Sequence, residues 1–177
     1  VDAKKSPIEI YGSMKLASEF LVKGYAQRHN IPYSIIRPSA VYGPTDNNRR
    51  VLQIFIENAM EGKKIIANNP STNMMDFTYV EDISSGIKCV ALSNNAIGEE
   101  FNITRGEGRS LYEAIDIIKS YFPDAEFEIN EDIDTIYPKR GSLDISKAQK
   151  LTGYSPRYGL EEGIEKYISF IDQDTKL

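Results

Sequence analysis

Apolar positions along the chain change period several times, and each change predicts an element. Residues 6 to about 27 place Leu16, Phe20, Leu21 and Val22 among polar and small residues at helical spacing. Ser6 can cap that helix, Pro7 suits its first turn, and Glu9 completes a capping box. Asn30 and Pro32 close it. Residues 33–37 read as a short buried strand stopped by Pro38, and a turn-rich loop covers 39–48. A helix is predicted over 50–60, a strand over 64–67 and an extended stretch over 76–80. Ile83, Ile87, Val90 and Ala91 then recur at spacings of three and four, which predicts a helix over 81–93 with one buried face. A strand follows at 101–104. After the turn at 105–108, Ser110 and Glu113 form a second capping box for a helix ending near Tyr121. Residues 126–129 alternate as a strand. Ser146 and Gln149 start a short helix that Gly153 can close, and the last helix spans 160–171. Helices alternating with short β-rich runs predict an α/β chain with a parallel or mixed sheet, in one domain without internal repeat or linker.

The 177 residues are enough for one domain with a real core, and 41% hydrophobic against 27% charged residues exclude disorder and low complexity. No apolar run approaches the roughly 20 residues that cross a bilayer, and no signal-peptide pattern opens the sequence. One Cys excludes an internal disulfide framework and fits a reducing compartment; with one His it also excludes a structural zinc site, so no metal is expected. The net charge of −5 speaks against nucleic acid or an anionic membrane as partner. These features predict a soluble cytoplasmic protein. Residues 99–134 hold 11 carboxylates against 3 cations, which leaves the remainder slightly basic and able to hold an anionic small molecule.

Tyr11 and Lys15 sit four apart on the first helix and therefore share a face. An ammonium beside a phenol favours the phenolate, and such a pair can take a proton from a substrate hydroxyl. Of the 11 tyrosines, Tyr11 alone has a Lys four residues on. Other polar residues have plainer readings. His29 suits a helix C-terminus, Cys89 a buried apolar helix face, Tyr79 the core, and Asp82 either a helix start or a pocket. No glycine pair follows a strand with phosphate-cradling spacing: Gly106/Gly108 and Gly159/Gly163 do not open a long helix after a strand.

The order of motifs adds more. Tyr11-Gly12-Ser13-Met14-Lys15 is followed by Arg37-Pro38 at a strand end and Val41-Tyr42-Gly43-Pro44. Then come Asp76-Phe77-Thr78-Tyr79-Val80-Glu81-Asp82, Phe101-Asn102-Ile103, Asp144-Ile145-Ser146-Lys147-Ala148, Gly153-Tyr154-Ser155-Pro156 and Leu160-Glu161-Glu162-Gly163. This closely resembles the C-terminal half of the extended short-chain dehydrogenases/reductases, specifically the NAD-dependent nucleotide-sugar epimerase/dehydratase family, over essentially the whole chain.

The resemblance implies the C-terminal part of a Rossmann-like fold plus a small α/β substrate-binding subdomain, with the glycine-rich N-terminal half missing. Residues 1–177 would form a single truncated domain, with 1–45 and 76–104 on the Rossmann side and 46–75 and 105–177 mainly on the substrate side. Tyr11 would be the catalytic acid/base and Lys15 the holder of the nicotinamide ribose. Pro38, Ser39, Ala40 and Val41 would line the nicotinamide end of NAD, with NADP not excluded. Tyr42, Arg49, Asp76 and Arg140 would meet a nucleotide sugar. Hydride removal to NAD while Tyr11 takes the hydroxyl proton would give a keto-sugar, then re-reduced on its other face or dehydrated. Ala40 stands where many members have an Asn, and Met75 where an Arg commonly meets substrate phosphates. The expected partners are a second copy through the first helix and a complementing N-terminal Rossmann chain. The alternative is a non-catalytic binding or interaction module that kept the fold without cofactor binding.

Overall fold

A computed structural model of the chain describes residues 7, 9–71, 74–131 and 140–174. Helix α1 (Ile10–His29) leads into β1 (Ile35–Arg37) and β2 (Val41–Tyr42), then α2 (Val51–Met60) and β3 (Ile65–Asn68). After β4 (Met74–Met75), β5 (Thr78–Tyr79) runs directly into α3 (Val80–Leu92), and β6 (Glu100–Asn102) and β7 (Arg109–Ser110) precede α4 (Leu111–Tyr121). Strand β8 (Phe127–Asn130) and helices α5 (Ser146–Thr152) and α6 (Leu160–Asp174) complete the order.

The strands pair two by two. β1 runs parallel to β6 with Ile36 opposite Phe101, β2 parallel to β5 with Val41 opposite Thr78, and β3 parallel to β8 with Ile65 opposite Phe127. β4 and β7 form a short antiparallel ribbon with Met75 opposite Arg109. Parallel pairs joined by helices are what the alternating pattern predicts.

Two apolar cores hold these layers. The larger gathers α2, α4 and α6 over β2, β3 and β5, with Leu52, Ile56, Ile65, Ile115, Ile118, Ile164 and Tyr167 all buried. The smaller packs α3 and α5 on β6 through Ile83, Val90, Phe101, Ile103, Ala148 and Tyr154. Close approach in the second core depends on Gly86, where a Cβ would overlap Ile103 Cγ2 and touch Tyr154 Cε2 at 3.0 Å.

The second capping box forms as predicted: Glu113 N donates to Ser110 Oγ at 3.2 Å, and Ser110 N donates to Glu113 Oε2 at 2.7 Å. Gly153 closes α5 in the left-handed region at φ 72°. Helix α5 starts at Ser146 as predicted, with Asp144 accepting Ser146 N–H at 2.9 Å. Two expectations need correction. Helix α1 starts at Ile10, and Glu9 is its N-cap residue without a side-chain cap bond, so Glu9 is not at the third helical position of a box; Ser6 lies outside the described residues. Ile87 is 48% exposed although it shares the apolar spacing of α3, because it faces a surface depression beside Ile36 instead of β6.

Candidate functional site

Helix α1 brings the two candidate catalytic side chains together. The 3.6-residue turn puts Tyr11 and Lys15 on one face, with Lys15 Nζ 5.7 Å from the centre of the Tyr11 ring. Both stand at the wall of an open groove of about 980 Å³ between α1 and β1, and Tyr11 is 71% exposed. Ile35, Ile36, Arg37 and Pro38 line that groove from the strand side, and Asn102 with residues 142–144 closes it opposite α1.

What fixes α1 there is charge rather than apolar burial. Among its residues only Ala26 is buried. The Arg37 guanidinium donates to both oxygens of Glu19, at 2.6 and 2.7 Å, and to Glu100 at 3.0 Å; Lys23 also pairs with Glu100. The hydrogen bond to Glu19 raises the Arg37 pKa above the usual guanidinium range. A bidentate fork of this kind sets orientation as well as attraction.

The opposite wall depends on Asp76. Its side chain has no exposed surface, and it accepts from Thr104 Oγ1 at 2.9 Å, Gly106 N at 3.0 Å and Leu143 N at 2.9 Å. Asn102 Nδ2 donates to Asp144 O at 2.9 Å, which ties down the next residue. Asp76 therefore pins the strap that bounds the groove. The carboxylate expected to meet substrate is thus engaged by donors of the chain itself.

Tyr42, also expected to meet substrate, sits in the larger core. It is 3% exposed, packs edge-on against Phe77 and Tyr79 with ring centres 6.3 and 5.6 Å away, and burial pushes its hydroxyl pKa far up. Arg49 is on the surface and pairs with Glu57 at 2.6 Å, away from the groove lining. Arg140 is exposed, two residues before Ser142 of the groove wall. Of the expected cofactor residues, the groove gathers Tyr11, Lys15 and Pro38. Ser39, Ala40 and Val41 lie past the strand end outside its lining; Ala40 has φ 38°, and its carbonyl accepts Thr78 N at 3.2 Å. Asp82 is buried in the first turn of α3 and accepts Arg157 N at 2.8 Å and Tyr158 N at 3.0 Å, so it anchors the chain before α6. Sequence reasoning missed Glu19 and gave no individual role to Arg37, Asn102 or the strap of residues 142–144; Glu19 and Lys15 sharing an i,i+4 spacing was the signal available for the first.

The groove presents a Lys ammonium and a Tyr hydroxyl side by side at its wall. Among the described residues no glycine-rich turn links a strand to a long helix. No group of three or more His, Cys, Asp and Glu among these residues could hold a metal ion. No helix among them is long and apolar enough to cross a membrane.

A Tyr/Lys pair on one helix face thus opens beside the end of a parallel strand on a Rossmann-like α/β scaffold. Residues 2–104 match the NAD dependent epimerase/dehydratase family, and the chain belongs to it. It is 30% identical over 167 residues to a UDP-glucose epimerase of Bacillus subtilis described as uncharacterised, covering 94% of this chain and 52% of that protein. It is 25% identical over 172 residues to dTDP-L-rhamnose 4-epimerase of Burkholderia thailandensis, covering 95% and 47%. The crystal structure of UDP-glucuronic acid 4-epimerase from Bacillus cereus, in complex with UDP-glucuronic acid and NAD, superposes with a TM-score of 0.88 at 30% identity, covering 97% of this chain and 55% of that one. The chain thus spans about half the length of the relatives it matches, and its fold is consistent with the C-terminal part of theirs.

Proposed function

We propose that this chain is the catalytic-helix and substrate-side half of an NAD-dependent nucleotide-sugar epimerase/dehydratase, inactive without a glycine-rich cofactor half. The observation that carries the reading is the Tyr11/Lys15 pair, 5.7 Å from ammonium to ring, at the wall of a groove of about 980 Å³. Tyr11 takes the proton from a sugar hydroxyl and returns it, and Lys15 holds the ribose hydroxyls beside it. NAD, when bound, supplies hydride acceptance and return at the sugar carbon. Pro38 lines the ring end, residues 142–144, pinned by Asp76, keep the groove's far wall in place, and Arg140, exposed beside that wall, is a cation able to meet the nucleotide, with Arg49 available only on release from Glu57. A 4-epimerase-like outcome is preferred, in keeping with the epimerases among its relatives.

The outward face of α1 supports self-association: Ile10, Met14, Leu21 and Tyr25 are 80%, 65%, 73% and 63% exposed, and β1 pairs only with β6 among the described residues. Light scattering at roughly tens of micromolar is expected to show a dimer or larger species, and a clean monomer would remove this part of the proposal. A reducing cytoplasmic setting suits the single Cys.

One observation favours a non-catalytic module. Arg109 lies opposite Met75, and its guanidinium is engaged by Glu107, Glu113 and Glu161, so it offers little to a substrate diphosphate. Calorimetric NAD titration tests the half-site reading, and a Tyr11 variant of the completed enzyme separates it from the module. The chain alone is expected to show no saturable binding at micromolar NAD, and such binding would refute the half-site reading. Joined to a glycine-rich half, Tyr11→Phe is expected to lower turnover at least about 100-fold while NAD still binds. Turnover surviving within about tenfold would refute the acid–base role and favour the module.

A further inference from the structure

The ionic lattice that ties α1 to the sheet contains a carboxylate placed where it could disable the Tyr11/Lys15 pair. Tyr11, Lys15 and Glu19 follow at four-residue spacing, so they share one face of α1, and all three line the groove. Lys15 is exposed, and among the described residues it makes no ion pair. Its ammonium stands 5.7 Å from the centre of the Tyr11 ring. A carboxylate one helical turn away is within reach of such an ammonium. Glu19 is turned away from it: Oε1 accepts from Arg37 Nε at 2.6 Å and Oε2 from Arg37 Nη2 at 2.7 Å.

The neighbouring charges have other partners. Lys23, one turn beyond Glu19, pairs with Glu100, which Arg37 Nη2 also reaches at 3.0 Å. On the groove's far wall, Asp144 accepts Ser146 N–H through Oδ1 at 2.9 Å. Glu19 is therefore the carboxylate on Lys15's own face, and Arg37 is the cation that holds it. Only 16% of the Glu19 side chain and 21% of the Arg37 side chain are exposed, so this fork is shielded and outcompetes an exposed i,i+4 pair.

We propose that Arg37 is a positioning residue that acts through Glu19: by holding both carboxylate oxygens it keeps Glu19 from pairing with Lys15 and leaves that ammonium to Tyr11. The inference rests on the acid–base reading given under Proposed function. Without the fork, Glu19 neutralises Lys15, which then neither favours the Tyr11 phenolate nor meets a ribose hydroxyl.

The test is zero-length carbodiimide crosslinking of the 177-residue chain, with peptide mass spectrometry reading the Lys15–Glu19 amide. Wild type is expected to give little of it. Arg37→Gln is expected to raise its yield at least about tenfold, the factor that one charge-assisted hydrogen bond holds back. In that variant, competitive acylation of Lys15 against exposed Lys88 is expected to slow about twofold, because an ion pair keeps the amine protonated. Arg37→Gln combined with Glu19→Gln is expected to restore the wild-type rate, whereas a merely structural fork would leave single and double variants alike. Arg37→Lys keeps a cation against Glu19 and is expected to crosslink Glu19 to position 37 in place of Lys15; where Arg37→Gln does not fold, this variant carries the test. A prominent Lys15–Glu19 amide in wild type, an equal yield in Arg37→Gln, or a double variant as slow as the single would each overturn the proposal. If the expected results are obtained but Tyr11→Phe leaves turnover intact in the completed enzyme, the acid–base reading fails and the pairing of Glu19 with Arg37 against Lys15 stands.

Discussion

Asp76 is the side chain whose removal should be felt furthest. It accepts from three donors on three segments, and its residue has no exposed surface. Asp76→Ala strands the Thr104 hydroxyl in a site without water access, while the Gly106 and Leu143 amides are only partly buried and regain some solvent. One fully unmet donor and two partly compensated ones amount to about 3–5 kcal/mol of lost stability. That is a large share of the roughly 5–15 kcal/mol that holds a domain together. Asp76→Asn keeps one oxygen, and Oδ2 serves both Thr104 and Leu143, so it should cost about half as much. Thr104→Val removes one donor and leaves the two backbone bonds, a loss of about 1 kcal/mol. Chemical denaturation of the three variants gives this order, and amide exchange reports whether Leu143 opens first. A loss below about 1 kcal/mol for Asp76→Ala, or an equal loss for Thr104→Val, would refute the argument that Asp76 pins the strap.

Two glycines are expected to respond in opposite directions to alanine. Gly86→Ala should cost about 1–3 kcal/mol through overlap with Ile103, whereas Gly24→Ala, with nothing within 4 Å on an exposed face of α1, should gain about 0.5–1 kcal/mol. Thermal melts of both variants check the pair, and equal signs would contradict the packing described. Tyr158 donates to Glu81 Oε2 at 2.6 Å, and that hydrogen bond is the main cause that pushes its pKa up to about 12, from 10.0. The protonated phenol is the bonded form, so its contribution is complete below pH 10.0 and disappears as pH rises through about 12. Denaturation midpoints of wild type and Tyr158→Phe should therefore differ at pH 9 and converge at the alkaline end (about one unit beyond 12); parallel curves would count against the assignment.

Local signals were legible in the residues. The Ser110/Glu113 box and the left-handed Gly153 are decided within four residues of chain, and the structure keeps both. The same helical geometry makes Tyr11 and Lys15 neighbours wherever α1 is placed. The ordered motifs carried the family. The residues could not show which polar groups face inward. Asp76 reads as a pocket carboxylate, yet its three donors lie 28, 30 and 67 residues away and meet it only after β6, β7 and the strap have assembled. Ile87 has the spacing of a buried position and lacks a neighbour to bury it. The ribbon that sets Met75 opposite Arg109, and the Glu19–Arg37–Glu100 lattice that holds α1, likewise join distant segments. Helix bonds and caps connect residues a few positions apart and so are written in local order. Burial, register and ion pairing depend on which distant segments come into contact, and the tertiary structure alone decided those.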